Sequence, residues 1–90
     1  MAKKIAILIR DRQGEGLRMG LGLTLADDAV DVYVLDREVE RNEDNDLNLE
    51  TMKDMGVNVY TNHKGNAELE YLSTGEIAKK LPEYDNIIPY

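Results

Sequence analysis

His63 is the single histidine of the 90-residue chain, in the stretch Thr61-Asn62-His63-Lys64-Gly65 that follows an apolar run. Imidazole is the usual general base near neutral pH, and ligands of parallel α/β sheets gather at the carboxyl ends of strands. Base catalysis needs a nucleophile within reach, and a metal needs further ligands. The chain has zero cysteines, which excludes disulfides, thiolate nucleophiles and thiolate metal sites. Asn62 and Lys64 complete neither a triad nor a metal set, so no catalytic residue, metal or cofactor is assigned, and His63 reads as a loop histidine.

A second set surrounds Gly14-Glu15-Gly16, with Gly20 beyond it, Arg10 and Arg12 before it, and Asp36 after the next apolar run. Glycines at a strand-to-helix turn, with an acid about 20 residues on, are the elements of a dinucleotide fingerprint. Met19 stands where the third glycine belongs, and the first glycine comes five residues after Ile9 rather than at a tight turn. Arg10, Arg12, Gly14 and Gly16 therefore read either as a small anion- or nucleotide-binding loop at a helix N-terminus, or as solvated loop charges whose field Asp11 and Glu15 oppose. Asp44, Asp46 and Asn48 have the 1-3-5 spacing of a calcium loop. Leu49 and Met55 fall where that loop requires glycine and a bidentate glutamate, which excludes it.

The elements that position these residues alternate. Ile5 to Ile9 is a short β-branched apolar run, the pattern of a strand buried on both faces. Arg10 to Gly16 reads as a loop, and Leu17 to Ala29 as a helix with two apolar stripes, Leu17-Leu21-Thr24-Leu25 and Met19-Leu23-Ala26. One stripe suffices to cover a sheet. The second, Met19, Leu23 and Ala26, is a candidate subunit interface, with packing inside the chain as its alternative. Val30 to Leu35 predicts a second strand and Asp36 to Asp46 a polar loop. Asn48 predicts the cap of a helix ending at Gly56. Val57 to Tyr60 is a third strand, Asn66 to Leu72 one or two helical turns, and Ser73-Thr74-Gly75-Glu76 a capping box before a helix that Pro82 stops. Asp85 to Tyr90 closes the chain as a strand, with Pro89 at its end or on an edge. The order β-α-β-α-β-α-β predicts a single domain, residues 1–90: a three-layer α/β/α sandwich on a mostly parallel sheet of about four or five strands.

Eleven basic against eighteen acidic residues leave a net charge of −7, which speaks against direct contact with nucleic acid or an anionic membrane. No signal-peptide order and no apolar run of about 20 residues is visible, so a cytoplasmic location is the expectation.

The stretches Lys4-Ile5-Ala6-Ile7-Leu8-Ile9-Arg10 and Val30-Asp31-Val32-Tyr33-Val34-Leu35, the glycine-bearing segment, the helix with Leu21, Leu23, Leu25 and Ala26, Met55-Gly56-Val57-Asn58-Val59-Tyr60 and the closing Asp85 to Tyr90 together resemble the small DsrE/DsrF/DsrH-like proteins, which include the Tus subunits of a sulfur relay. The resemblance covers nearly the whole chain as a pattern of elements. It implies a three-layer fold, homo-oligomers or hetero-oligomers with related subunits, and a role in sulfur oxidation or tRNA thiolation. It also implies a persulfide-carrying cysteine just after the third strand. Thr61 and Asn62, followed by His63, stand there instead, and neither side chain serves as a thiolate nucleophile and leaving group. The resemblance therefore leads to a non-catalytic subunit that acts through protein contacts.

Overall fold

The computed structural model describes residues 4–25 and 29–90. Its elements run β1 (Lys4–Ile9), α1 (Gln13–Leu25), β2 (Ala29–Val34), α2 (Glu43–Asp54), β3 (Asn58–Thr61), β4 (Glu70–Tyr71), α3 (Thr74–Lys80), a 3-10 turn (Leu81–Glu83) and β5 (Asn86–Pro89). The five strands form one sheet in the order β4-β3-β2-β1-β5, parallel throughout. The chain steps outward from β1 to β4, then returns across the sheet to place β5 on the free side of β1. The expected α/β class and three-layer sheet are thus observed. No helix among the described residues is long and apolar enough to cross a membrane.

The pleat sends alternate side chains to opposite faces. Ile5, Ile7 and Ile9 of β1 and Val30, Val32 and Val34 of β2 meet Leu17, Val39 and Met52 on the face covered by α1 and α2. Ala6, Tyr33, Leu35 and Tyr60 meet Ile77 and Tyr84 on the other. Among the described residues only the short α3 and the 3-10 turn cover this second face, and broad rings fill what a longer helix would. Tyr33 stacks on Tyr60 with centroids 5.1 Å apart and meets Tyr84 edge-on at 6.0 Å. The Tyr84 hydroxyl donates to Asp31 Oδ2 and lies 2.5 Å from the Tyr33 hydroxyl, so the buried oxygens are paired. Burial, then the bond to Asp31, raises the Tyr84 pKa far above the ordinary phenol range, so the hydroxyl stays a donor.

Several boundaries differ from the sequence expectation. α1 begins at Gln13, so Gly14 and Gly16 belong to its first turns and the preceding loop is only Arg10 to Arg12. Its buried ridge is Gln13, Gly16, Leu17 and Gly20, while Leu25, expected in the core stripe, is 72% exposed. Two core-facing positions are therefore glycines, which apolar periodicity does not register. A Cβ on Gly16 would lie 2.6 Å from Ile9 Cγ1, and one on Gly20 would lie 3.1 Å from Val32 Cγ2. The missing side chains let α1 sit down on the sheet. α2 is capped by Asn42, whose side chain accepts from Asn45 N, and so starts earlier than a cap at Asn48 would allow. Residues 66–72 form turns and the two-residue β4 rather than a helix. Gly56 after α2, at φ +78°, and the reciprocal Ser73–Glu76 capping box are as expected.

β5 is an edge strand that carries a proline. Tyr90 N donates to Leu8 O and Arg10 N to Tyr90 O, which turns residues 86, 88 and 90 toward β1 and Pro89 outward. The ring removes a donor from the open side, as edge strands tolerate.

Two substitutions test the packing of α1. Gly16→Ala is expected to cost about 1–3 kcal/mol through overpacking against Ile9. Gly22→Ala, where nothing lies within 4 Å of the added carbon, is expected to gain roughly 0.5–1 kcal/mol from helix propensity. Urea denaturation of the two variants reads the opposite signs.

Candidate functional site

Chain segments leave the sheet at the carboxyl ends of β1, β2 and β3, and the polar residues meet there. After β2 the chain turns sharply at Asp36, a non-glycine residue at φ +67°. Short polar side chains tolerate this left-handed conformation best, and here the carboxylate is held from both sides. Arg10 Nε donates to Asp36 Oδ2 at 3.0 Å, and Asn62 Nδ2 donates to Asp36 Oδ1 at 3.0 Å while Asn62 Oδ1 accepts from Asp36 N at 2.7 Å. Asn62 also reaches Thr74 Oγ1. The Asn62 bond, then Arg10, lowers the Asp36 pKa below the usual carboxylate range.

The segment after Asp36 is pinned by buried amides. Gln13 of α1 donates to Glu38 O and accepts from Glu40 N. Asn66 accepts from Val39 N and donates to Arg37 O and Thr61 Oγ1. Asn45 of α2 donates to Glu40 O at 2.7 Å. With Thr61 these are the buried polar residues among those described. Each satisfies backbone groups that the irregular loop cannot pair for itself. Sequence reading missed Gln13, Asn45 and Asn66. Their residue types, common in turns, carry no sign that a second segment lies against them.

His63 stands at the loop's rim, half-buried, with Nδ1 accepting from Gly65 N at 3.1 Å. A Cβ on Gly65 would fall 2.5 Å from Glu38 Oε1 and 2.8 Å from His63 Cε1, so a side chain there would have to displace both where the two loops touch. Thr61, the last residue of β3, is wholly buried, and its Oγ1 accepts from His63 N and Asn66 Nδ2. Imidazole and hydroxyl are not joined as base and nucleophile.

The glycine-bearing set divides. Arg10 turns to Asp36, Arg12 pairs with Glu15 at 3.4 Å and covers the Tyr90 ring, and Gly16 faces Ile9. Gly14 lines a cleft of about 590 Å³ between the N-termini of α1 and α2. Five carboxylates (Asp11, Glu15, Glu40, Glu43, Asp44) and two guanidinium groups (Arg12, Arg18) line it, a balance opposed to an anion. Asp44, Asp46 and Asn48 lie on α2, and no cluster of three or more metal-ligating side chains occurs among the described residues.

Of the candidate interface residues, Met19 is 39% exposed and Leu23 packs partly on the core. Both line a groove of about 480 Å³ with Gly22, Tyr90, Glu15 and Arg18. Ala26 lies outside the described residues.

No family model, curated protein or solved structure matches the chain.

Two outcomes follow from the loop clamp. Asn66→Ala strands the buried Val39 N–H and the partly buried Arg37 carbonyl, and is expected to lower unfolding free energy by roughly 2 kcal/mol in urea titrations. Asp36 sets a pH dependence: its folded pKa lies below its unfolded one, so its contribution is complete above the unfolded value and is lost as pH falls through the folded value. With the side chain 56% exposed the effect is small. The urea midpoint is expected to drop below about pH 4, and less steeply in Asn62→Ala.

Proposed function

We propose that this chain is a non-catalytic, DsrE-like oligomeric subunit of intracellular sulfur relay or oxidation, acting in the cytoplasm through contacts with copies of itself or related subunits. The observation that carries the reading is the state of the two residues in the cysteine position. Thr61 is buried as an acceptor of two hydrogen bonds, and Asn62 bridges Asp36 and Thr74. Both act as struts in the loop clamp, where a sulfur carrier needs an accessible thiolate. The all-parallel sheet with helices on both faces is the architecture that the resemblance implies. Met19 and the groove beside Tyr90 supply a partly apolar surface on α1 for the contact.

A small anion- or nucleotide-binding role would have to work in the cleft at Gly14 against its excess of carboxylates. The protein-contact reading meets no such opposition.

Sedimentation equilibrium tests the reading. The chain is expected to run as a dimer or larger species at micromolar concentration, and Met19→Lys to shift it to the monomer with an unchanged circular dichroism spectrum. A wild-type chain that stays monomeric at hundreds of micromolar overturns the proposal.

A further inference from the structure

The last strand of the outward run is shorter than its neighbour. β4 pairs with Tyr60 and Thr61 of β3, leaving Asn58 and Val59 with no strand on their outer side. Leu72 N donates to Thr61 O at 2.8 Å, which places the Thr61 backbone groups on the β4 side. By the two-residue alternation of the strand, the Val59 N–H and the Val57 carbonyl point the same way. Val59 N–H meets no acceptor among the described residues beyond the end of β4. Pro89 blunts the opposite edge at β5; no proline or outward-facing lysine stands on Asn58-Val59.

A groove of about 470 Å³ runs beside this open half-edge. Leu49 of α2, Val57, Val59 and Leu69 form its apolar wall, all partly buried against the core. The rim is charged. Arg41 pairs with Asp46 at 2.9 Å and with Glu68, so its charge is shared between those two carboxylates. Glu50 and Lys53 complete the rim, and three carboxylates against two cations leave it one charge negative. The groove shares no lining residue with the one at Met19.

We propose that this groove and the open half of β3 receive an extended segment of a partner protein, added as a strand beside Val59, with an aliphatic side chain against Leu49, Val57 and Leu69 and a basic residue flanking it. Unpaired backbone groups at a sheet edge supply the main-chain bonds of strand addition, and a neighbouring apolar recess selects the alternate side chain. The negative rim selects the sign of the flanking charge. The inference does not depend on the chain forming oligomers through α1.

The test uses blocked pentapeptides and the whole chain, followed by amide chemical shifts and hydrogen exchange. Lys-Val-Ile-Val-Lys is expected to shift the resonances of Leu49, Val57, Val59 and Leu69 saturably and to slow exchange of the Val59 amide several-fold. Glu-Val-Ile-Val-Glu is expected to bind at least several-fold more weakly. N-methylation of the central isoleucine of the basic peptide is expected to weaken it similarly by removing a backbone donor. Leu49→Lys should abolish the response, and the exposed substitution Glu50→Lys should reverse the preference between the two peptides with the fold intact. Absence of a saturable shift at millimolar basic peptide, equal binding of the N-methylated peptide, or preference of the wild-type chain for the acidic peptide each overturns the proposal.

Discussion

The irregular segment after β2 must have its backbone hydrogen bonds supplied from elsewhere, and the carboxyl end of the molecule is organised around that need. In a parallel sheet successive strands are joined by crossovers, so unpaired N–H and C=O groups arise wherever the chain leaves a strand. Here Gln13 from the start of α1, Asn45 from α2 and Asn66 from the loop after β3 converge on residues 37–40. Gln13 and Asn66 both donate and accept, binding the backbone in the way a neighbouring strand would, and Asn45 adds one donor. The clamp ties three successive crossovers together and fixes Asp36, Asn62 and Thr61 relative to one another. The surface ion pairs Arg10–Asp36 and Arg37–Asp11, all well exposed, sit on top of this arrangement and add little to it.

The two faces of the sheet solve coverage differently. On one, α1 and α2 lie close because Gly16 and Gly20 give their places to Ile9, Val32 and Met52. On the other, a seven-residue helix leaves room that Tyr33, Tyr60 and Tyr84 occupy, with Lys4 and Lys80 lying over rings. The aromatic solution brings hydroxyls into the interior, and Asp31 at the margin accepts a hydrogen bond from the Tyr84 hydroxyl.

What could be read from sequence divides along physical lines. β1 and β2 are legible because strands covered on both faces need continuous apolar runs, and the Ser73 and Gly56 signals are local backbone chemistry. The start of α1 is not legible, since glycine reads as loop unless the sheet it packs on is known. β4 escapes for a similar reason: two exposed residues, Glu70 and Tyr71, become a strand only because β3 is beside them. The candidate site is half legible. Thr61, Asn62 and His63 are found at a strand end, whereas the role of Asn66, five residues beyond Thr61, depends on residues 37–39, more than twenty positions away in the chain.

The position of β5 has a consequence for how the chain is made. β1 lies inside the sheet, yet its second neighbour, β5, is synthesised only after β2, β3 and β4. Until residues 86–89 leave the ribosome, the apolar strand Ile5–Ile9 keeps one side of its backbone unpaired, however well α1, β2 and β3 have assembled. Vectorial synthesis thus passes through a partial sheet whose most hydrophobic strand is temporarily its edge, the species most exposed to wrong pairing. The closing step joins residues about eighty positions apart, a non-local contact that slows folding as loop closure must precede it.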